Sequence, residues 1–189
     1  ALGLAARGWQ VIASARKPED VARLGARGLT AIQLDLDDPI SIGAAVDRTL
    51  ALTGGRLDAL FNNGAYGQPG AVEDLSREVL RAQLETNLLG WHDLTCRVIP
   101  IMRRQGQGRI VQNSSVLGLI PLPYRGAYVA SKYALEGLSD TLRLELRGSG
   151  RDPLQPVVLE RTVHPPRCFS AWSGLLLEDQ AYRDFSTVI

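Results

Sequence analysis

The sequence predicts an α/β fold in which a doubly wound parallel sheet carries helices on both faces. Three observations carry that expectation. Short apolar or β-branched runs alternate with stretches of helical periodicity, and the polar residues of chemical interest gather where those runs end. Composition agrees, because 189 residues at 45% hydrophobic and 22% charged suit one soluble domain, 1–189, long enough to bury a core.

The chain opens on Ala1-Leu2-Gly3-Leu4-Ala5-Ala6-Arg7-Gly8, a helix already under way without an N-cap, and Met102 is the sole methionine. The expectation is that a preceding segment is missing. Gly8 suits a helix C-cap, and residues 9–15 then read as a strand ending in small residues. Pro18 suits the first turn of a helix through Val21, Leu24 and Gly25, with Glu19 and Asp20 at its positive end. A second strand covers 29–35. Asp37, Asp38 and Pro39 start a helix that runs to about Thr53, and a third strand, 57–61, empties into Asn62-Asn63-Gly64-Ala65-Tyr66-Gly67.

Between residues 76 and 105 the positions Val79, Leu80, Leu84, Leu88, Leu89, Leu94, Val98 and Met102 keep roughly helical spacing, the longest such element, with Asn87 near its middle. The run Arg109-Ile110-Val111-Gln112-Asn113 reads as a buried strand that delivers Ser114 and Ser115 to its end. Gly118, Pro121, Pro123 and Gly126 punctuate a loop, after which Tyr128, Ala134, Leu135, Leu138, Leu142 and Leu146 mark a helix. Val157-Val158-Leu159 reads as a further strand.

Several function classes are disfavoured. A net charge of +1 with no basic stripe argues against nucleic acid, and no apolar run reaches the ~18 residues of a membrane span. Two cysteines, Cys96 and Cys168, are too few for a disulfide framework and read as buried or incidental thiols; no metal-ligand spacing appears. No secretory leader is visible, and a cytoplasmic setting is expected.

The chemical signal lies in Tyr128 and Lys132, which share a helix face at i and i+4. An ammonium beside a phenol favours the ionised form, which makes a tyrosine usable as a general acid or base, and a facing serine hydroxyl could hold a substrate oxygen. Taken alone, the pair reads more simply as a core aromatic beside a snorkelling lysine. Arg16 and Lys17, Asp35, Asn62 and Asn63 also have plain readings as turn and cap residues. All of them, however, follow strand ends, where an open parallel sheet binds ligands. No acid follows Ala15; Arg16 and Lys17 do, which suits a ribose 2′-phosphate and points to NADP(H) over NAD. Asp35 could accept a hydrogen bond from an adenine amino group.

As a set these residues resemble the short-chain dehydrogenase/reductase family in its short single-domain form, over about residues 1–159. Leu34-Asp35-Leu36 resembles its adenine-contacting step, and Asn62-Asn63-Gly64-Ala65 resembles its N-N-A-G motif with the last two residues exchanged. Asn87 in Thr86-Asn87-Leu88-Leu89-Gly90 resembles N-x-x-G, Asn113-Ser114-Ser115 the serine motif, and Tyr128 to Lys132 Y-x-x-x-K. The resemblance implies a Rossmann-like sheet whose first strand and glycine-rich phosphate loop are missing from this chain. It implies a catalytic tetrad of Asn87, Ser115, Tyr128 and Lys132, in which Tyr128 is the acid/base, Ser115 holds the substrate oxygen, Lys132 tunes the tyrosine and binds the nicotinamide ribose, and Asn87 helps to hold a relay water. Ser115 is preferred to Ser114 by the family's spacing to the tyrosine. It also implies dinucleotide contacts from Arg16, Lys17, Asp35, Leu36, Asn62, Asn63, Gly64, Asn87, Tyr128 and Lys132, and a homodimer or homotetramer.

The activity implied is NADP(H)-dependent interconversion of a carbonyl and an alcohol on an apolar small molecule. Rivals are a non-catalytic dinucleotide-sensing regulator, which would not need the Ser115, Tyr128 and Lys132 set, and a sugar-nucleotide epimerase, which would need a longer chain. At Leu159-Glu160 the sequence lacks the Pro-Gly turn that the resemblance leads one to expect, so a missing segment is expected there. Residues 160–189 read as a substrate-side region, with His164 in a loop and Trp172, Leu175, Leu176, Leu177, Tyr182 and Phe185 as candidate pocket walls.

Overall fold

The computed structural model describes residues 1–148, 157–162 and 187–188. In chain order these form α1 (Leu2–Ala5), β1 (Gln10–Ala15), α2 (Pro18–Gly25), β2 (Thr30–Gln33), α3 (Pro39–Leu52), β3 (Ala59–Asn62), α4 (Arg77–Leu84), α5 (Gly90–Gln105), β4 (Gly108–Asn113), α6 (Gly126–Gly148), β5 (Val157–Thr162) and β6 (Thr187–Val188). A π-helical turn, Glu85–Leu89, joins α4 to α5, and 3-10 turns stand at Val72–Asp74 and Val116–Gly118.

The six strands make one sheet in the order β2-β1-β6-β3-β4-β5, and every pairing is parallel. Side chains alternate across it as strand geometry requires. Val11 and Ala59 pack under α1 with Leu4 and Trp9, while their neighbours Ile12 and Leu60 join Ile42, Val46, Val98 and Ile110 in the larger core beneath α3 and α5. Adjacent residues buried on opposite faces mean a sheet covered on both sides, the doubly wound form.

Strand order reverses between β1 and β3. That switch point is where an open sheet opens a crevice at its carboxyl edge. Among the described residues β6 stands there, pairing Thr187 and Val188 with Gln10 and Val11 and Val188 with Ala59, and its ladder stops short of residues 12–15 and 60–62.

Element ends follow local chemistry. The Asp38 carboxylate accepts from the Ile40 N–H at 2.9 Å ahead of Pro39, and the Ser76 hydroxyl accepts from the Val79 N–H at 3.3 Å. Gly106, at φ 77, ends α5 in the left-handed conformation. A Cβ on Gly90 would stand 2.2 Å from the Leu36 carbonyl oxygen, so glycine is what lets α5 approach the end of β2.

Four sequence expectations need correction. The single helix over 76–105 is two α segments about a π turn, and Leu89 at the end of that turn is exposed, outside the apolar stripe expected of it. The apolar stripe proposed for α6 is wrong in part: Ala134 and Leu138 are exposed, and the buried face runs through Ser131, Lys132, Leu135, Glu136 and Ser139, because it borders a polar site. The strand expected to stop at Leu159 continues through Glu160, Arg161 and Thr162, which pair with Val111, Gln112 and Asn113. Cys96 is exposed, its Sγ 3.6 Å from the His92 ring. Cys168, His164 and the proposed pocket walls between Trp172 and Phe185 lie outside the described residues.

Candidate active site

The end of β4 is the anchor of the site. The Asn113 carbonyl accepts from the Lys132 ammonium at 2.7 Å, and the Asn113 amide donates to Asn63 Oδ1 at 2.5 Å, which ties the ends of β4 and β3 together. Lys132 is 1% exposed, and its Nζ lies 5.7 Å from the centre of the Tyr128 ring and 4.2 Å over that of Trp91. Burial pushes its pKa down from 10.5 to about 8, opposed by the Glu136 charge one turn along α6. Tyr128 is half-buried, with Gly67 so close that a Cβ there would sit 3.3 Å from its ring.

Ser115 caps the 3-10 turn that packs against α6, and its Oγ accepts from the Leu117 N–H at 3.1 Å. Because that bond uses a lone pair, the hydroxyl proton stays available to a ligand oxygen. Ser114 is buried, and its Oγ has no hydrogen-bond partner among the described residues.

Asn87 sits in the π turn, fully buried. Its Oδ1 accepts from the Tyr66 N–H at 3.1 Å, while its amide donates to the Tyr66 carbonyl at 2.8 Å and to Ser131 Oγ at 3.3 Å. Four residues earlier, Gln83 accepts from the Gln68 N–H at 2.7 Å and donates to the same Tyr66 carbonyl at 2.9 Å. Four residues later, the Trp91 indole N–H donates to the Gly64 carbonyl at 2.7 Å. Gln83, Asn87 and Trp91 are all 0% exposed, and together they pin loop 64–68 along its length.

At the carboxyl edge of β1, β2 and β3 lies a cavity of about 630 Å³. Arg16, Asp35, Leu36, Asn62, Asn63 and Gly64 line it, as do Thr86 and Trp91. Arg16 is largely exposed, and its guanidinium stands 4.0 Å from Asp37, whose other carboxylate oxygen accepts from the Thr86 hydroxyl at 2.5 Å. Asp35 Oδ1 accepts from the Asp37 N–H at 3.1 Å, and the Asp35 N–H donates to Ser41 Oγ at 2.9 Å.

The expected residues thus divide into two groups. Asn87, Tyr128 and Lys132 meet around loop 64–68, with Ser115 on the turn packed beside them, whereas Arg16, Asp35, Leu36, Asn63 and Gly64 border the cavity. Asn63 and Trp91 connect the two. Lys17 does not line the cavity; it is an exposed residue at the start of α2. The Asn62 amide turns into the sheet, buried and donating to Thr95 at 3.0 Å and to Gln112 at 2.9 Å. The Asn87 side chain, expected near a relay water, is occupied with the Tyr66 backbone and Ser131. Gln83, Trp91 and Asp37 were missed, although Gln83, Asn87 and Trp91 recur every four residues and so advertise one helix face.

This geometry has close counterparts. The family model for short chain dehydrogenase matches residues 1–151. An uncharacterized oxidoreductase, YbbO, of Escherichia coli is 49% identical over 150 residues, covering 79% of this chain and 56% of that protein, so the chain spans little more than half the length of this relative. Among solved structures, a short chain dehydrogenase/reductase of Burkholderia phymatum in complex with NAD is similar at a TM-score of 0.70 and 27% identity, over 80% of this chain and 54% of that one. An actinorhodin polyketide ketoreductase variant with NADPH is similar at 0.71 and 30%, over 78% and 59%. A parallel sheet with its crevice at the strand ends, a buried lysine one turn from a tyrosine and a family model matched over residues 1–151 lead to one assignment: the chain belongs to the short-chain dehydrogenase family.

Proposed function

We propose that the chain forms the reactive part of an NADP(H)-dependent oxidoreductase that interconverts a carbonyl and an alcohol on an apolar small molecule, with Tyr128 as acid/base. The observation that carries this reading is the Lys132 ammonium, buried against the Asn113 carbonyl with the Tyr128 ring 5.7 Å away. A buried cation beside a phenol has little structural use, since burying a charge costs stability. It does favour phenolate, the state that proton transfer needs.

The residues fit a dinucleotide at both ends. The cavity offers Asp35, Asn63 and the Gly64 backbone to an adenosine, with Arg16 at its rim for a 2′-phosphate, and Lys132 and Tyr128, which lie outside the cavity lining, would take the nicotinamide ribose. When bound, the nicotinamide supplies the hydride that reaches the carbonyl carbon. In the direction of reduction, Tyr128 would give its phenolic proton to the carbonyl oxygen. Ser115 donates its free O–H to the same oxygen, and Lys132 stabilises the phenolate left behind. Alcohol oxidation runs the same steps in reverse.

An apolar substrate is supported by the loops beside the site. Val116, Leu119, Ile120, Leu122 and Tyr124 are exposed in the segment that follows Ser115. Exposed Val72 joins them, because the Gly70 N–H donates to the Tyr124 carbonyl at 3.0 Å and Val72 crowds Gly126. Exposed apolar side chains on two tied loops suit an apolar ligand. On the cofactor, Asp37 beside Arg16 favours a second reading, NAD, in which the carboxylate takes a ribose hydroxyl.

The deciding experiment compares wild type with Tyr128→Phe, scoring NADPH oxidation against aldehydes and ketones and NADPH binding separately. Turnover should fall at least ~100-fold with binding largely kept. A variant that keeps most turnover would sink the Tyr128 assignment, and a wild type that binds NADPH but reduces no carbonyl would make the protein a dinucleotide sensor.

A further inference from the structure

We infer that Trp91 is a positioning residue that holds the Lys132 ammonium in place with its ring face and fixes loop 64–68 with its ring edge. The inference deepens the reading above and rests on it for its meaning in catalysis, but its structural content stands on three observations. Trp91 is fully buried although tryptophan is the bulkiest side chain, so its orientation is set by packing. Its N–H donates to the Gly64 carbonyl at 2.7 Å, which fixes the ring plane. The Lys132 Nζ then lies over the ring, 4.2 Å from its centre, well inside the ~6 Å over which an indole quadrupole attracts a cation.

The surroundings make this attraction matter. Among the described residues the charged group acting on Lys132 is Glu136, on its own helix, and Tyr128 is the other titratable group at its side. The other elements present neutral partners: β4 offers the Asn113 carbonyl and α5 the Trp91 ring. An ammonium with three donors finds one carbonyl oxygen at 2.7 Å, and the indole face covers another side of it with negative electron density, where a leucine would offer nothing. Desolvation opposes the charge, and cation–π contacts are strongest when desolvated. The position also explains the preceding glycine: Gly90 lets the Leu36 carbonyl approach α5, and Trp91 is thereby carried in beneath the lysine.

One residue therefore links the cavity loop to the proton-transfer pair. A structural role alone would leave the Lys132 titration untouched once the protein is folded, whereas a positioning role would not.

The test reads that titration directly. In protein carrying isotope-labelled lysine, the Lys132 midpoint near 8 should move down by about one pH unit in Trp91→Met, which keeps apolar bulk without a π face, and by less in Trp91→Phe. An unmoved midpoint in folded Trp91→Met overturns the inference. If that variant does not fold, fluorotryptophan labelling reads the wild type instead: the Trp91 resonance should shift with the same midpoint and stop doing so in Lys132→Met. A Trp91 resonance that is flat through this range overturns the inference as well. Neither readout requires turnover, so failure here is distinguishable from failure of the Tyr128 assignment, which an active Tyr128→Phe enzyme would show.

Discussion

The two ends of the site are built by opposite means. Around Lys132, the polar groups are buried and tied: Asn87 alone makes three hydrogen bonds, Gln83 two, and Lys132 is pressed between a carbonyl and an indole. Around Arg16 the groups are exposed; its guanidinium meets Asp37 at 4.0 Å with 60% of its side chain open to solvent. Chemistry requires reacting groups held before the substrate arrives, and such preorganisation takes burial and redundant bonding. Recognition of a phosphate, the role proposed for Arg16, needs only charge within reach, which an exposed guanidinium would supply. The first kind of site should be costly in stability and insensitive to salt, and the second the reverse.

Lys132→Met should break the buried end most completely. Turnover should drop ~100-fold or more, as for loss of an acid/base partner. Stability should change in the opposite direction. A lysine whose folded pKa lies near 8 and whose unfolded pKa is near 10.5 makes the unfolded state bind more protons between those values, so stability rises with pH across that window. Below the window the folded protein carries the whole cost of the buried charge, ~1.4 kcal/mol for each pH unit that separates the two values. Denaturant unfolding should therefore find Lys132→Met more stable by roughly 1–3 kcal/mol at pH 7, with the difference closing towards pH 10.5. A variant that is less stable at pH 7 would mean that the lysine is a structural post.

Asn87→Ala comes next. It orphans the Tyr66 N–H, while the Tyr66 carbonyl keeps its bond from Gln83. Stability should fall by about 1–3 kcal/mol, and displacement of loop 64–68 should lower turnover ~10-fold or more. Asn87→Asp, which keeps the acceptor and loses the donor, should recover part of both. Equal losses in the two variants would show that the acceptor to Tyr66 does nothing for the loop.

Much of this fold was legible because it is written in apolar periodicity. The helix starts at Pro18, Asp38 and Ser76 and the five strands before residue 163 follow from pattern and capping chemistry. The π turn was not, because side-chain spacing over 76–105 still looks helical when one turn contains an extra residue. The same limit hid the buried face of α6. Ser131, Lys132, Glu136 and Ser139 look like a solvated stripe until a polar site is placed against them. Motif residues were found by type, but what they do depends on partners far along the chain: Asn62 serves Thr95 and Gln112 inside the sheet, and Asn87 serves Tyr66 and Ser131.

The smallest effect is expected at the open end. Arg16→Ala should weaken NADPH binding about 10-fold and leave NADH nearly unchanged, since only the former presents a 2′-phosphate to the guanidinium. An exposed contact is screened over ~8 Å at physiological ionic strength, so the loss should shrink as salt is added, whereas the Asn87 and Lys132 effects should not. Asp37 sharpens the comparison. Its carboxylate both neutralises Arg16 and repels a phosphate, so Asp37→Asn should strengthen NADPH binding and weaken NADH binding if the ribose hydroxyl uses that acid. Calorimetric titrations with both dinucleotides at two salt concentrations separate the cases. Equal losses for both dinucleotides in Arg16→Ala would make the Arg16 and Asp37 pair a brace between β1 and the turn after β2, and cofactor choice would then have to be set elsewhere in the protein.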